Sequence, residues 1–233
     1  MLADRIINAV SWRARGALVN SRNACTHVNH WTERMVYQAK ARTMLRASGA
    51  DKPLAHFIKD RPSDAIPPDY SDLWLLFSLV RKKRPRVVFE YGAGCSTVVL
   101  AEALRQNGSG FLHSIDSEET WAKIAWNSLP LNLRNICQVG YSTVSVVERS
   151  GVKGFKHDNV PDVVLELVYL DGPQLTPEVN VVVDILDIEL ELPDNFCMVL
   201  DGRYYCKRFM LQHLKRAYRF TDRLAFKNSI WEL

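Results

Sequence analysis

Two kinds of segment are missing from this sequence of 233 residues, and each absence narrows the class of protein. It has no run of about 18 apolar residues, the length that a membrane-spanning helix requires, so no membrane span is expected. Charged side chains interrupt residues 1–20, which therefore lack the continuous apolar segment of a secretory signal. We therefore expect a cytoplasmic protein.

Cysteine is scarce, and its distribution does not suggest disulfides. The five cysteines are odd in number and scattered, at positions 25, 95, 137, 197 and 206. Reduced, mostly buried thiols are expected. Residues 25–30 contain one cysteine and two histidines, but structural zinc needs four ligands and no second pair lies nearby. We predict no metal site in that segment.

The composition is that of a globular protein with an uneven charge distribution. With 47% hydrophobic and 24% charged residues, the chain suits one α/β domain with an extension. Residues 1–86 carry a net positive charge, which could attract an anionic partner or complement the acidic remainder. The basic run at 81–86 has no interleaved aromatic residues and is typical of a helix end stopped by Pro85, so a nucleic-acid partner is not expected.

Residues 1–68 are predicted to form an N-terminal helical extension. Apolar residues recur at helical spacing over 3–18 and again over 31–48. The first helix could dock on the protein's own core or form a homodimer interface. Residues 49–68, with one glycine and four prolines, are predicted to be a connector.

The most informative stretch is residues 86–100, which reads as a buried strand, a glycine turn and the start of a helix. Gly92 and Gly94 allow unusual backbone angles and leave room for a ligand to approach the main chain. Ser96 or Thr97 can cap the helix, whose first N–H groups suit a polar or anionic ligand. A dinucleotide site would have a third glycine where Thr97 stands. The looser acid-x-G-x-G pattern of methyltransferases that use S-adenosylmethionine (SAM) is matched by residues 90–94.

Further along, strands and helices alternate, which predicts a parallel sheet covered on both faces. Strands are expected over 111–115, 135–139, 165–170 and 196–200, with two more in the tail over 218–223 and 225–233. Residues 141–155 could be an inserted hairpin or a mobile loop beside the site. A helix is expected to start at Thr176, with an N1 proline and the apolar side chains of Val181, Val182 and Ile185 on one face.

Acidic residues follow three of these strands: Asp116, Asp171 and Asp201. Ligands of parallel α/β sheets bind at the carboxyl ends of strands, so these carboxylates should meet the glycine turn at one edge. Asp116 could accept hydrogen bonds from a ribose, cap the next helix, or do both.

Taken together, residues 69–233 resemble a class I SAM-dependent methyltransferase. The resemblance implies a Rossmann-like, doubly wound, mostly parallel seven-stranded sheet of order 3-2-1-4-5-7-6, with the last strand antiparallel. It implies SAM as cofactor, bound by Glu90, Tyr91, Gly92, Ala93, Gly94, Ser96, Thr97, Asp116 and Asp171. In related enzymes, extensions such as residues 1–68 often cover the substrate site or mediate dimerisation.

The cofactor's methyl group is already electrophilic, so the protein mainly has to align a nucleophile, exclude water and sometimes remove a proton. Asp171 and Asp201 are the candidate catalytic residues. Metal-dependent, catechol-type O-methyltransferases bind a divalent ion through acids at these two places, but Gly202 stands where that group has asparagine, so the need for a metal stays open. No Asn/Asp-Pro-Pro-Tyr motif follows the fourth strand, which disfavours methylation of base amino groups. Oxygen on a small molecule or sugar is the preferred acceptor.

Two other functions stay open. An NAD(P)-dependent oxidoreductase is disfavoured by Thr97 and by the lack of an obvious Tyr-x-x-x-Lys pair. A non-catalytic protein that retains the fold and binds a partner is disfavoured, but not excluded, by the intact set of residues at the cofactor edge.

Overall fold

The computed structural model describes residues 34–63, 65–223 and 228–233. The predictions for residues 3–18 and 25–30 lie outside these ranges. The helices are α1 (residues 34–48), α2 (Asp51–Asp60), α3 (Tyr70–Lys83), α4 (Cys95–Asn107), α5 (Glu119–Ser128), α6 (Asp184–Ile188) and α7 (Tyr204–His213). The strands are β1 (Val87–Tyr91), β2 (Phe111–Asp116), β3 (Cys137–Tyr141), β4 (Val144–Arg149), β5 (Val152–His157), β6 (Leu167–Leu170), β7 (Cys197–Leu200), β8 (Arg219–Arg223) and β9 (Asn228–Glu232).

Seven strands form one sheet in the order β3-β2-β1-β6-β7-β9-β8. When the hairpin β4–β5 is left out of the count, this is the predicted order 3-2-1-4-5-7-6. All pairs from β3 to β7 are parallel, whereas β9 runs antiparallel to both β7 and β8. The predicted fold class is therefore confirmed.

The sheet separates two apolar clusters because successive side chains of a strand point to opposite faces. Val88, Leu112 and Leu167 pack against α2, α3, α4 and α5. Phe89, Val168 and Met198 pack on the other face, where α6 and α7 contribute Ile185 and Met210. The four cysteines of the described ranges are free and buried, as expected.

The prediction that residues 49–68 form a connector is wrong for residues 51–60, which form α2. Pro53 is tolerated because it lies in the first helical turn, where a backbone N–H has no intrahelical partner. Leu54 and Phe57 are buried in the cluster that also holds α3 and α4. Only the segment from residue 61 to Asp69 connects α2 to α3.

The helix predicted to start at Thr176 is also wrong, because α6 begins only at Asp184. The intervening valines are β-branched and favour extended backbone. Val182 forms a parallel bridge with Phe155 of β5, and the amide of Phe155 donates to the carbonyl of Val181 at 2.8 Å.

Of the two alternatives for residues 141–155, the hairpin is observed, as β4 and β5. It packs through Val147 and Val152 against Val181, Val183 and Phe209. The hairpin therefore covers the face of the sheet that carries α6 and α7. No helix in the described ranges is both long and apolar enough to cross a membrane.

Candidate functional site

A cavity of about 420 Å³ opens at the carboxyl ends of β1, β6 and β7. One wall is the glycine turn, with Gly92, Ala93, Gly94, Cys95 and Ser96, and Trp121 of α5 lies beside it. Tyr169, Asp171 and Asp201 form the wall at β6 and β7. The opposite side consists of Arg61, Ala65, Ile66, Pro67, Pro68, Asp69, Asp72 and Leu73, which precede or begin α3.

The two glycines of the turn have different roles. Gly92 has a φ of +97°, and a Cβ atom there would lie 2.9 Å from the backbone nitrogen of Gly172. Its own amide donates to the carbonyl of Ile115 at 2.8 Å, which ties the turn to β2. A Cβ atom on Gly94 would meet no atom within 4 Å, although this residue borders the cavity. Gly92 is therefore required by the packing of the protein, whereas Gly94 leaves space at the cavity wall.

Glu90 lies inside the protein and does not line the cavity. Its side chain points to the face of the sheet covered by α4, and its Oε2 accepts hydrogen bonds from the hydroxyls of Thr97 at 2.5 Å and Ser114 at 2.6 Å. Burial raises the pKa of this carboxyl to about 7. Glu90 and Thr97 thus join β1 to α4 and hold the start of the helix in place.

Two further residues that the sequence assigned to cofactor binding also lie off the cavity wall. Tyr91 is fully buried on the opposite face, with its ring 4.8 Å from that of His157. Asp116 accepts hydrogen bonds from the amides of Ala93 at 3.0 Å and Glu118 at 2.9 Å. It therefore connects the glycine turn to the beginning of α5. Each carboxylate oxygen has a second lone pair, so these bonds leave Asp116 able to accept from a ligand.

The end of the cavity at β6 and β7 is acidic. Asp171 borders the cavity with 43% of its side chain exposed. Reduced hydration within the cavity, together with the neighbouring Asp201, raises the pKa of its carboxyl above its usual range. Burial, with Asp69 and Asp201 nearby, raises the pKa of Asp72 to about 8. Burial also disfavours ionisation of Asp69, but hydrogen bonds from Ser71 and Arg34 lower its pKa overall. This end of the cavity can hold a proton or attract a cationic or hydrogen-bond-donating group.

Arg203 holds the acidic end in place. Its guanidinium donates to the carbonyls of Pro173, at 2.8 Å, and Asp171, and lies 3.9 Å from Oδ1 of Asp171. The loop after β7 is thereby attached to the loop after β6. Sequence reasoning did not select Arg203; the only available signal was a cation directly after the strand-end pair Asp201-Gly202.

The structure brings together at one cavity six of the predicted site residues: Gly92, Ala93, Gly94, Ser96, Asp171 and Asp201. The other four predicted residues do not line the cavity but lie behind the residues that do: Glu90, Tyr91, Thr97 and Asp116. Sequence reasoning missed Arg61, Asp72 and Trp121 as cavity residues. In the ranges that the structure describes, no three His, Cys, Asp or Glu side chains are grouped as metal ligands.

Sequence comparison gives no relatives: no protein-family model and no curated protein matches this chain. Comparison with solved structures finds proteins of similar fold. The O-methyltransferase TomG from Streptomyces achromogenes, solved in complex with SAM, has 16% identity and a TM-score of 0.51 over 85% of this chain and 96% of that chain. An O-methyltransferase from Bacillus cereus, in complex with SAH, has 14% identity and a TM-score of 0.53 over 85% and 98%. The SAH-bound methyltransferase PaMTH1 from Podospora anserina has 13% identity and a TM-score of 0.51 over 82% and 95%. At these identities the likeness shows the fold: the chain has the class I methyltransferase architecture over most of its length.

Proposed function

We propose that this protein is a SAM-dependent methyltransferase that transfers a methyl group to an oxygen of a small molecule or sugar. One observation carries the proposal: the glycine turn after β1 and the acids after β6 and β7 border one cavity. That cavity lies at the sheet edge where α/β folds bind their ligands. The structural neighbours that hold SAM or SAH have the same fold.

The residues present fit such a cofactor. A cavity of about 420 Å³ lies within the range of roughly 300–1,000 Å³ that is usual for small-molecule sites. Gly94 leaves its wall open, and the N-terminus of α4 presents backbone N–H groups there. When bound, SAM supplies an electrophilic methyl group, which needs no further activation by the protein.

The protein's own task is to position an acceptor and take up its proton. Asp171 and Asp201 are the residues proposed for this role. The raised pKa of Asp171 makes its carboxylate a better proton acceptor near neutral pH, and Asp201 borders the same cavity beside it. Arg61 and residues 65–69 cover the cavity from the opposite side and would exclude water from it. A hydroxyl acceptor, which must lose its proton on methylation, suits this acidic end.

The division of the chain follows the same proposal. Residues 69–233 would form the SAM-binding domain, and residues 1–68 a helical extension that covers the site or joins two copies in a homodimer. The cavity contacts made by Arg61 and residues 65–68 support the covering role. Sedimentation velocity of the full chain tests the homodimer, and fractionation of cells tests the expected cytoplasmic location.

The first experiment is a thermal unfolding series with SAM, SAH, NAD and no ligand. At about 100 times the dissociation constant, a ligand that binds only the folded state adds roughly 2.7 kcal/mol, which raises the midpoint by roughly 5–10 °C for a chain of this size. We expect this shift with SAM and SAH alone. A folded sample that responds to neither would refute cofactor binding and favour the non-catalytic binding protein. A response to NAD alone would favour the oxidoreductase.

A second experiment asks whether the bound cofactor is used. Methyl-labelled SAM is incubated with the protein and mixtures of hydroxylated small molecules, with and without a chelator. Label found on an oxygen supports the proposed acceptor class, whereas label found only on nitrogen or carbon would refute it. Loss of transfer in the chelator would show that a metal is needed.

A further inference from the structure

Arg61 is the cavity residue whose role the proposed function leaves unassigned. It follows the last turn of α2, and it is the only lysine or arginine among the described residues that line the cavity. Four aspartates line the same cavity. Its position is set by two contacts of one nitrogen, Nη1, which donates to the carbonyl of Ile66 at 2.9 Å and to Sγ of Cys95 at 3.5 Å.

These contacts leave most of the guanidinium available. An arginine side chain has five N–H donors in a planar fork, and only the two on Nη1 can serve Ile66 and Cys95. None of the salt bridges between residues that the structure describes involves Arg61. The remaining donors on Nη2 and Nε match the paired oxygens of a carboxylate.

The surroundings of Arg61 also favour an anionic group. Cys95, which it contacts, is the first residue of α4, so the guanidinium lies beside the free backbone N–H groups of that helix. The acidic side chains lie elsewhere on the cavity wall: Asp171 and Asp201 follow the paired strands β6 and β7, and Asp72 lies in the first turn of α3. The cavity wall is thus positive at Arg61 and the start of α4, and negative at Asp171 and Asp201 after β6 and β7 and at Asp69 and Asp72 at the start of α3.

We propose that Arg61 binds the carboxylate of the amino-acid group of the cofactor. A ligand with both a carboxylate and cationic groups matches a cavity with two oppositely charged sides, and such a ligand would be oriented by them. The inference rests on the proposed function and extends it, since Arg61 lies before residue 69, outside the stretch that resembles a methyltransferase. The extension would then supply part of the cofactor site itself.

The test compares two ligands, one with and one without the amino-acid group whose carboxylate Arg61 would bind. SAH carries the amino-acid group, whereas 5′-methylthioadenosine has the same adenosine and thioether without it. Their dissociation constants are measured by calorimetry on the full chain and on Arg61→Met, which keeps the apolar stem. Lys59→Met is the matched control, because Lys59 is an exposed cation in the last turn of α2, two residues from Arg61, and does not line the cavity.

We expect Arg61→Met to weaken SAH roughly 10- to 100-fold, the usual effect of losing a charge-assisted hydrogen bond, and to change methylthioadenosine less than about 2-fold. Arg61→Lys should recover part of the loss, and Lys59→Met should bind both ligands like the wild type. An equal loss for the two ligands would show that Arg61 only shapes the loop, and no loss would show that it has no role; either result overturns the inference while the proposed function stands. A folded wild type that binds neither ligand would overturn both.

Discussion

Gly92 and Gly172 pack backbone against backbone, so closely that a Cβ atom on either would come within 3 Å of a main-chain nitrogen of the other. This contact joins the turn after β1 to the loop after β6, and the amide of Asp171 adds a hydrogen bond to the carbonyl of Tyr91 at 2.9 Å. The position of Asp171 in the cavity therefore depends on the absence of side chains at both glycines.

Gly92→Ala should destabilise the protein by roughly 2–4 kcal/mol, because it combines a strained positive φ with a clash against main-chain atoms that cannot rotate away. Chemical denaturation measures the loss. Gly140→Ala is the matched control, since a Cβ atom on Gly140 in β3 meets nothing within 4 Å. The control should stay within about 0.5 kcal/mol of the wild type. Equal stability of the two variants would contradict the contact described.

Gly94→Ala should separate ligand binding from folding. The added methyl group meets no protein atom within 4 Å, yet residue 94 borders the cavity. Folding should lose at most about 1 kcal/mol, since alanine is a poorer N-cap than glycine. Binding of SAH, measured by calorimetry, should weaken by at least about 10-fold because the methyl group occupies space that the ligand needs. If Gly94→Ala binds SAH as well as Gly140→Ala does, the glycine turn is not part of the cofactor site.

Gly154→Ala should loosen the hairpin β4–β5 from the body of the protein. A Cβ atom on Gly154 would lie 2.5 Å from Cγ1 of Val183, a branched side chain with few alternative rotamers. We expect a destabilisation of roughly 1–3 kcal/mol, the usual cost of overpacking.

The double variant Gly154→Ala/Val183→Ala tests the cause. Val183→Ala alone should destabilise by creating a cavity, but in the double variant the two changes should partly compensate. Purely additive losses in denaturation experiments would mean that Gly154 and Val183 do not limit each other's space.

Much of the fold could be predicted from the sequence, because its strands are short apolar runs that end at glycine or aspartate. The runs at 87–89, 111–115 and 196–200 each overlap a strand of the sheet, and the glycine turn leads into α4. The sequence predicts a helix through Val181 and Val182 because these residues and Ile185 have a spacing that fits one face of a helix. Their actual conformation follows from the pairing of Val182 with Phe155, a contact that no local pattern reveals.

The candidate site was only partly predictable, for a similar reason. The strand-end acids Asp171 and Asp201 could be placed together because parallel strands bring their carboxyl ends to one edge. Arg61 and Asp72 reach that edge only through the packing of α2 and α3 against α4. The direction of Glu90 depends on which face of β1 the helix α4 covers, and this follows from the tertiary structure.

Glu90 provides a test of that direction through the pH dependence of stability. Burial raises the pKa of its carboxyl from 4.5 to about 7 in the folded chain. Between these two pH values the folded protein retains a proton that the unfolded chain releases, so this residue makes the wild type less stable as the pH rises. Glu90→Gln has no such proton. In the wild type Oε1 of Glu90 has no hydrogen-bond partner, so the corresponding atom of the glutamine amide would also lack one. The free energy of unfolding of the variant relative to the wild type should therefore rise by up to about 3 kcal/mol across this window and stay level above it. Denaturation at half-unit steps of pH measures the difference. A difference that does not change with pH would mean that Glu90 is ionised in the folded protein, which would place its carboxylate in contact with solvent or a cation rather than beneath α4.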